Sequence, residues 1–302
     1  MIEDAMWLLA VNPTSGRGKG ERVSSEVIHF LRSRGVEYRI ITGANPIVFQ
    51  ENLRREVINS MASDSSSAKV IDVIAAIGGD GLIHMTLQVA IESNLPMVTI
   101  PAGTGNDFVR TLGWNPDRPL DPLWVALNSE SVSVDVGVID GEYFGAIAST
   151  GFDSLVNERA NRMKWPKGPA KYNLAMAIEL PKFQPKRYQF TLDGKSFERE
   201  AMLIAIGNGS SYGGGMLVCP DADINDGLLD LMILNPLSKR EFVRMFPSVY
   251  EGKHIEHPMV EMLRGREIQI EANAVVYADG ERIGPLPANI TVANGALNTW
   301  RA

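Results

Sequence analysis

Cysteine is nearly absent. The 302 residues contain one, Cys219, so no disulfide can form within the chain. Histidine is scarce too: four scattered copies and one thiol do not make the compact ligand set of a zinc site. His254 and His257 sit in polar sequence context and give no metal signal. No apolar run approaches the roughly 20 residues that a membrane-spanning helix needs. Glu3 and Asp4 precede a short apolar stretch with no basic n-region and no long h-region, so a soluble, cytoplasmic protein is expected. Positive charge is in deficit, 29 Lys and Arg against 36 Asp and Glu for a net −7, which argues against a nucleic-acid partner. One local exception, Lys164, Lys167, Lys171, Lys182, Lys186 and Arg187, reads equally as a solvated helix face or as a patch for peripheral contact with a membrane.

What is present fits a globular protein: 45% hydrophobic and 22% charged residues, 28 Gly and 17 Pro. The length is large for one core, so two domains are expected. In the first 130 residues short apolar runs alternate with helical patterns. Trp7–Val11, Tyr38–Thr42, Val70–Ile77 and Met97–Ile100 read as strands. Between them lie helices over Glu21–Arg34, over a stretch with Phe49, Leu53, Val57 and Met61 on one face, and over Leu82–Glu92, with a polar loop at residues 63–67. Unbroken apolar strands interleaved with helices predict a parallel, Rossmann-like sheet covered on both faces.

From residue 131 the pattern changes to strands with frequent turn signals: Val132–Val136, Tyr143–Ala148, Tyr188–Leu192, Ala201–Gly207, Leu228–Leu234 and Glu267–Glu271. Asp140-Gly141 and Asp193-Gly194 read as hairpin turns. Helices are expected at Ser154–Met163, Leu174–Leu180 and Lys239–Glu251. A mostly antiparallel β-sandwich over 131–289 follows, with a last strand, Ala288–Ala293, leading a tail of about 290–302 back to the first domain.

Three glycine-rich loops each follow a strand of the first domain: Asn12-Pro13-Thr14-Ser15-Gly16-Arg17-Gly18-Lys19, Gly78-Gly79-Asp80-Gly81, and Gly103-Thr104-Gly105-Asn106-Asp107. Loops at the carboxyl ends of parallel strands converge where ligands bind. Glycine lets backbone approach a ligand, the following helix offers N–H groups and a positive dipole end, and Ser15 and Thr104 add hydroxyls. Any one loop is an ordinary βα turn; three at one sheet edge favour phosphate. Asp80 and Asp107 would repel a polyphosphate unless a divalent cation lay between them, although both positions also permit helix capping. There is no Walker lysine and no G-x-G-x-x-G after the first strand.

Gly78–Gly81 together with Pro101-Ala102-Gly103-Thr104-Gly105-Asn106-Asp107-Phe108 resembles the diacylglycerol kinase catalytic superfamily, which is related to NAD kinases. More closely, the chain is similar to bacterial soluble lipid kinases of the diacylglycerol-kinase type. The likeness extends through Ser149–Asp153, Pro220–Leu228, Gly252-Lys253-His254 and Asp279-Gly280-Glu281. It implies an ATP- and Mg²⁺-dependent kinase acting on diacylglycerol or a related lipid at a membrane surface; a homodimer is compatible with it. The other acceptors to weigh are phosphatidylglycerol, a sphingoid base, ceramide or NAD, and the other class is a catalytically silent lipid- or nucleotide-binding module.

By the same resemblance, Asn12, Pro13, Thr14, Ser15, Gly16, Thr42, Gly78, Gly79, Asp80, Gly81, Leu82, Ile83, His84 and Thr104 would contact the nucleotide. Asp80, Asp107 and Asp135 would form the acidic network around a catalytic metal, and Glu281 would be the catalytic base. Asp223, Asp226 and the carbonyl of Leu228 would hold a second, structural Mg²⁺. Leu82 stands where threonine is usual and His84 where asparagine is common. Read without the resemblance, Asp223 and Asp226 make a solvated Asx turn, and Asp-Gly-Glu occurs twice, at 140–142 and 279–281, as a good hairpin turn.

Overall fold

The computed structural model describes residues 5–62, 69–163, 165 and 169–302. Glu3, Asp4, the polar loop at 63–67, Lys164 and Lys167 lie outside the described residues. The chain divides into two compact units, Met1–Val134 with Gly295–Ala302, and Asp135–Asn294.

The first unit is an α/β domain. Strands β1 (Met6–Val11), β2 (Glu37–Ile41), β3 (Ile71–Gly78) and β4 (Met97–Pro101) pair in parallel in the order β2-β1-β3-β4. Every residue of β1 and β4 is buried, as apolar runs without alternation require, whereas β2 at the edge exposes Glu37 and Ile40. Helices α1 (Ser15–Ser33), α2 (Pro46–Met61), α3 (Asp80–Ser93), α4 (Asp107–Thr111) and α5 (Asp121–Asn128) complete the unit. In α2 the Asn45 side chain caps Val48 N–H, and Phe49, Leu53 and Val57 are buried. Met61, expected on that face, is exposed. Ser60 turns inward in its place, because its hydroxyl accepts the Ile71 N–H at 2.7 Å. The carboxyl-terminal residues are stitched in: Thr299 Oγ1 donates to Met97 O, Trp114 Nε1 to Trp300 O, Trp300 Nε1 to Ser129 O and Ala302 N–H to Leu112 O.

The second unit contains β5 (Val132–Ile139), which starts just before it, then β6 (Glu142–Phe144), β7 (Ile147–Gly151), α6 (Phe152–Arg162), α7 (Pro169–Glu179), β8 (Lys186–Leu192), β9 (Lys195–Ala201), β10 (Leu203–Gly207), β11 (Leu229–Leu234), α8 (Lys239–Met245), β12 (Val260–Gly265), β13 (Glu267–Glu271), β14 (Val275–Ala278), β15 (Glu281–Pro285) and β16 (Ala288–Thr299). One antiparallel sheet has the order β12-β11-β10-β7-β14-β15. In the other, β13 lies between β16 and β8, with β9 beyond. The two sheets share a core that includes Phe144, Ala148, Tyr188, Phe190, Ile204, Ile206, Leu231, Ile268 and Ile290, which makes the unit a sandwich. The six-stranded sheet presents Ile147, Ala205 and Met232 on its other face to Phe152, Val156, Ala175 and Phe242 of the helices. Among the described residues no helix is long and apolar enough to cross a membrane.

Three expected elements are interrupted. The helix over Lys239–Glu251 ends at Met245 and continues as a 3₁₀ turn over Phe246–Glu251, because Pro247 lacks the N–H and crowds the preceding turn. The strand over Tyr143–Ala148 is two strands: the N–H groups of Gly145 and Ala146 donate to the Asp279 carboxylate, at 2.8 and 2.9 Å, instead of to a neighbouring strand. The run Ala201–Gly207 breaks at Met202 into the end of β9 and the whole of β10. His254 is buried despite its polar sequence neighbours; its Nε2 lies 3.1 Å from Val218 O, and burial depresses its pKa.

Candidate functional site

The three glycine loops of the first unit pack against one another, and the glycines are what allow it. A Cβ on Gly16 would come within 2.3 Å of Ala102 O, and one on Gly103 within 2.4 Å of Gly79 Cα. Gly79 also lies against Ser15 Oγ, 3.3 Å from where its Cβ would be. At the head of α1, Gly16, Arg17 and Gly18 have φ of 55°, 62° and 93°, a left-handed run that breaks the helix. Thr14 N–H and Oγ1 donate to Asn12 Oδ1, which folds the loop over its own strand. Gly79 starts α3 with no side-chain cap, so the positive end of that helix is left for a ligand. Chemically, the positive end of α3 beside this close-packed backbone suits phosphate.

Asp80 organises the third loop. Its Oδ1 accepts the Asp107 N–H at 2.7 Å and its Oδ2 the Asn106 N–H at 2.9 Å. A Cβ on Gly105 would lie 2.5 Å from Asp80 Oδ2 and 3.3 Å from Asp107 Oδ2, so both carboxylates flank that glycine. Two like charges this close favour a cation between them, and the oxygen-only donors suit a hard one. Asn106, for which the sequence reading gave no role, is buried at φ 57°; its side chain accepts from Gly103 N–H and donates to Gly103 O. The signal was there to read: asparagine is among the few residues that take the left-handed conformation.

The remaining nucleotide candidates are placed unevenly. Thr14 and Thr104 are exposed in the loop cluster, and Thr42 is exposed just past the end of β2. Leu82, Ile83 and His84 are buried in α3.

In the second unit the two Asp-Gly-Glu copies differ. Both are hairpin turns with positive φ at Asp and Gly, of the type whose twist suits two-residue hairpins. Asp140 Oδ1 accepts Asn289 N–H, while the Asp279 carboxylate holds Gly145 and Ala146 with one oxygen each. Glu281, at the start of β15, is exposed and rests on this doubly tied turn; Glu142 is half-buried in β6.

Asp135 is also in this unit. Its N–H donates to Ile224 O, and its carboxylate accepts the Gly227 N–H at 2.8 Å, fixing the loop that bears Asp223, Asp226 and Leu228. Within that loop Asp223 Oδ1 accepts from Asn225, Asp226 Oδ1 accepts the Leu228 N–H, and Arg264 lies 3.4 Å from Asp226 and 3.1 Å from Asp230. Among the described residues no three His, Cys, Asp or Glu side chains group as a metal site. The donors are carboxylate and carbonyl oxygens in one tight loop, which suits a hard cation completed by water.

One further polar group was missed. Burial pushes the Asp153 carboxyl up to about 6, partly offset by donors such as Tyr212 Oη at 3.4 Å from Oδ2. Asp153 Oδ1 and Tyr188 Oη are buried without hydrogen-bond partners, and burial raises the Tyr188 phenol as well. No local pattern marks such a pair, because β8 brings Tyr188 to it from across the sandwich.

Comparison with known proteins covers nearly the whole chain. Residues 6–139 match the diacylglycerol kinase catalytic domain model, and residues 146–301 match the YegS C-terminal NAD kinase beta sandwich-like domain model. A diacylglycerol kinase of Mycobacterium tuberculosis (strain ATCC 25618 / H37Rv) is 36% identical over 96% of this chain and 93% of its own length. One from Bacillus subtilis (strain 168) is 30% identical over 91% and 89%. The crystal structure of a diacylglycerol kinase from Bacillus anthracis str. Sterne has the same fold, with a TM-score of 0.72 and 19% identity over 99% of this chain and 97% of that one.

Proposed function

Because the chain belongs to the diacylglycerol kinase family and is therefore a lipid kinase, we propose that it moves the γ-phosphate of ATP to the free hydroxyl of diacylglycerol, giving phosphatidic acid and ADP. The observation that carries this reading is the interlocked glycine cluster with Asp80 gripping Asn106 and Asp107.

In this reading the Gly16 N–H and the positive end of α3, with the hydroxyls of Ser15 and Thr104, cradle the phosphates. Asp80 fixes the third loop and shares with Asp107 the carboxylates that would hold a divalent ion, Mg²⁺ by its oxygen ligands. That ion supplies neutralisation of the charge on the transferring phosphoryl group. Glu281 accepts the proton of the lipid hydroxyl as its oxygen attacks phosphorus, and the P–O bond to ADP breaks. Asp223, Asp226 and the Leu228 carbonyl would hold a second ion with a structural role, tied to β5 through Asp135. Contact with the lipid is peripheral, at the membrane surface.

The test is transfer of labelled γ-phosphate from ATP to diacylglycerol, phosphatidylglycerol, ceramide, a sphingoid base and NAD. Label on diacylglycerol, absent with Glu281→Gln, is the expected result. Label confined to another acceptor would overturn the substrate assignment. ATP binding with no transfer to any would leave a silent binding module.

A further inference from the structure

Glu281 takes its place from backbone alone. Its side chain is exposed and, among the described residues, makes no hydrogen bond or ion pair. The neighbouring Arg282 reaches Glu158 of α6 at 3.3 Å, a half-exposed pair that holds little. What fixes the turn is the Asp279 carboxylate, and Asp279 is only as well placed as the two N–H groups it accepts. Those belong to Gly145 and Ala146, the buried link between β6 and β7.

Two residues offer two backbone donors and two acceptors, and buried backbone must satisfy all four. Asp279 takes both donors. The acceptors go to the residues that follow β10: Asn208 Nδ2 donates to Gly145 O at 2.8 Å, and the N–H groups of Asn208 and Gly209 donate to Ala146 O at 3.0 and 2.8 Å. Strand β10 pairs with β7 as far as Gly207 and Ile147. The next antiparallel pair would return the Ala146 N–H to Asn208 O, but Asp279 intercepts it. The link is thus gripped by its N–H groups from Asp279 and by its carbonyls from Asn208. The second hydrogen of the Asn208 amide goes to Asp135 O of β5 at 3.0 Å, so one NH₂ ties β5 to the link. Asn208 is buried, and its Oδ1 has no hydrogen-bond partner among the described residues. An unsatisfied buried carbonyl opposes stability, so stability alone does not explain an asparagine here; two donors on one short side chain do. In the other Asp-Gly-Glu hairpin, Asp140 bonds with the exposed Asn289.

We propose that Asn208 is a positioning residue for Glu281. It fixes the carbonyl side of the Gly145-Ala146 link, the link fixes Asp279, and Asp279 sets the turn from which Glu281 reaches the acceptor hydroxyl. This assignment rests on the kinase reading with Glu281 as base. A base must stand within hydrogen-bond reach of the proton it takes, and a misplacement of about 1 Å lowers a rate by about 100-fold.

Label transfer from ATP to diacylglycerol, beside amide hydrogen exchange, tests it on the full chain. Asn208→Ala should speed exchange at Gly145 and Ala146 and lower kcat by about 10- to 100-fold, with KM for ATP within about 2-fold. Asn208→Ser keeps one donor and should fall between the two; it serves in place of the alanine variant if that does not fold. Ile268→Val, in the sandwich core, should lower the melting temperature yet leave kcat within about 2-fold. The deciding arm is the double variant. In a Glu281→Gln background, replacing Asn208 should lower kcat by less than about 2-fold more, because a residue that acts through Glu281 has nothing left to place. An undiminished loss there would overturn the proposal and make Asn208 structural, and so would an unchanged kcat in the single variants; in both cases the kinase reading stands. Wild type that transfers no label would overturn the kinase reading, and the role of Asn208 falls with it.

Discussion

The Asp80 carboxylate accepts the main-chain N–H of Asp107 at 2.7 Å, so one acidic residue of the cluster holds the other in place. Both carboxylates flank Gly105, yet Asp80 spends its two oxygens on the backbone of residues 106 and 107. The two therefore differ in what their loss should cost. Asp80→Ala should lower stability by about 1–3 kcal/mol, since it strands two N–H groups, and should abolish phosphoryl transfer. Asp107→Asn should abolish transfer while changing stability by less than about 1 kcal/mol. Urea denaturation beside a kinase assay checks both, and equal stability losses would show that Asp80 is not the organiser.

The glycines make a graded series. Gly103→Ala drives a methyl into Gly79 and should cost about 1–3 kcal/mol together with nucleotide affinity. Gly18→Ala meets open space, so only its φ of 93° is penalised, at about 1–2 kcal/mol. Calorimetric titration with a non-hydrolysable ATP analogue should show affinity lost in the first variant and largely kept in the second.

Glu281 and Glu142 occupy equivalent places in two hairpins of the same sequence. Glu281→Gln should lower turnover by at least about 100-fold with an unchanged melting temperature, since the side chain is exposed. Glu142→Gln should leave turnover within about 2-fold, as expected of a residue outside the chemistry. Comparable losses in both would remove the reason for singling out residue 281.

Asp153 predicts a pH effect. Its carboxyl moves from 3.8 to about 6 on burial, so the native state holds its proton more tightly than the unfolded chain. The resulting stabilisation is complete below about pH 4 and is lost as pH rises through about 6. Asp153→Asn carries no such charge. The melting-temperature difference, variant minus wild type, should therefore grow from pH 4 to pH 8, and a difference independent of pH would refute the assignment.

The α/β unit was largely legible because its signals are local. Fully buried strands such as β1 are apolar throughout, and each glycine loop begins where a strand ends. The sandwich was less so. β12, β14, β15 and all of β9 but Ala201 went unread, since strands such as Val260–Gly265 mix Glu261 and Arg264 with apolar residues. Thr14, Asp80 and Gly103 could be picked out by residue type and position. That Asp279 would clamp Gly145 and Ala146, more than 130 residues away, could not, because nothing in either segment encodes the other.

Strand β16 begins in the sandwich and ends beside β4, where Thr299 and Trp300 complete the first unit. The second unit is therefore an insertion in the first. Its sandwich closes within one continuous segment, residues 135–294, whereas the first unit must join segments more than 200 residues apart, as Thr299 does with Met97. Bringing distant segments together costs loop-closure entropy before any contact offsets it. The glycine-loop domain therefore carries the longer-range folding problem of the two, although most of its residues lie in one early stretch of chain.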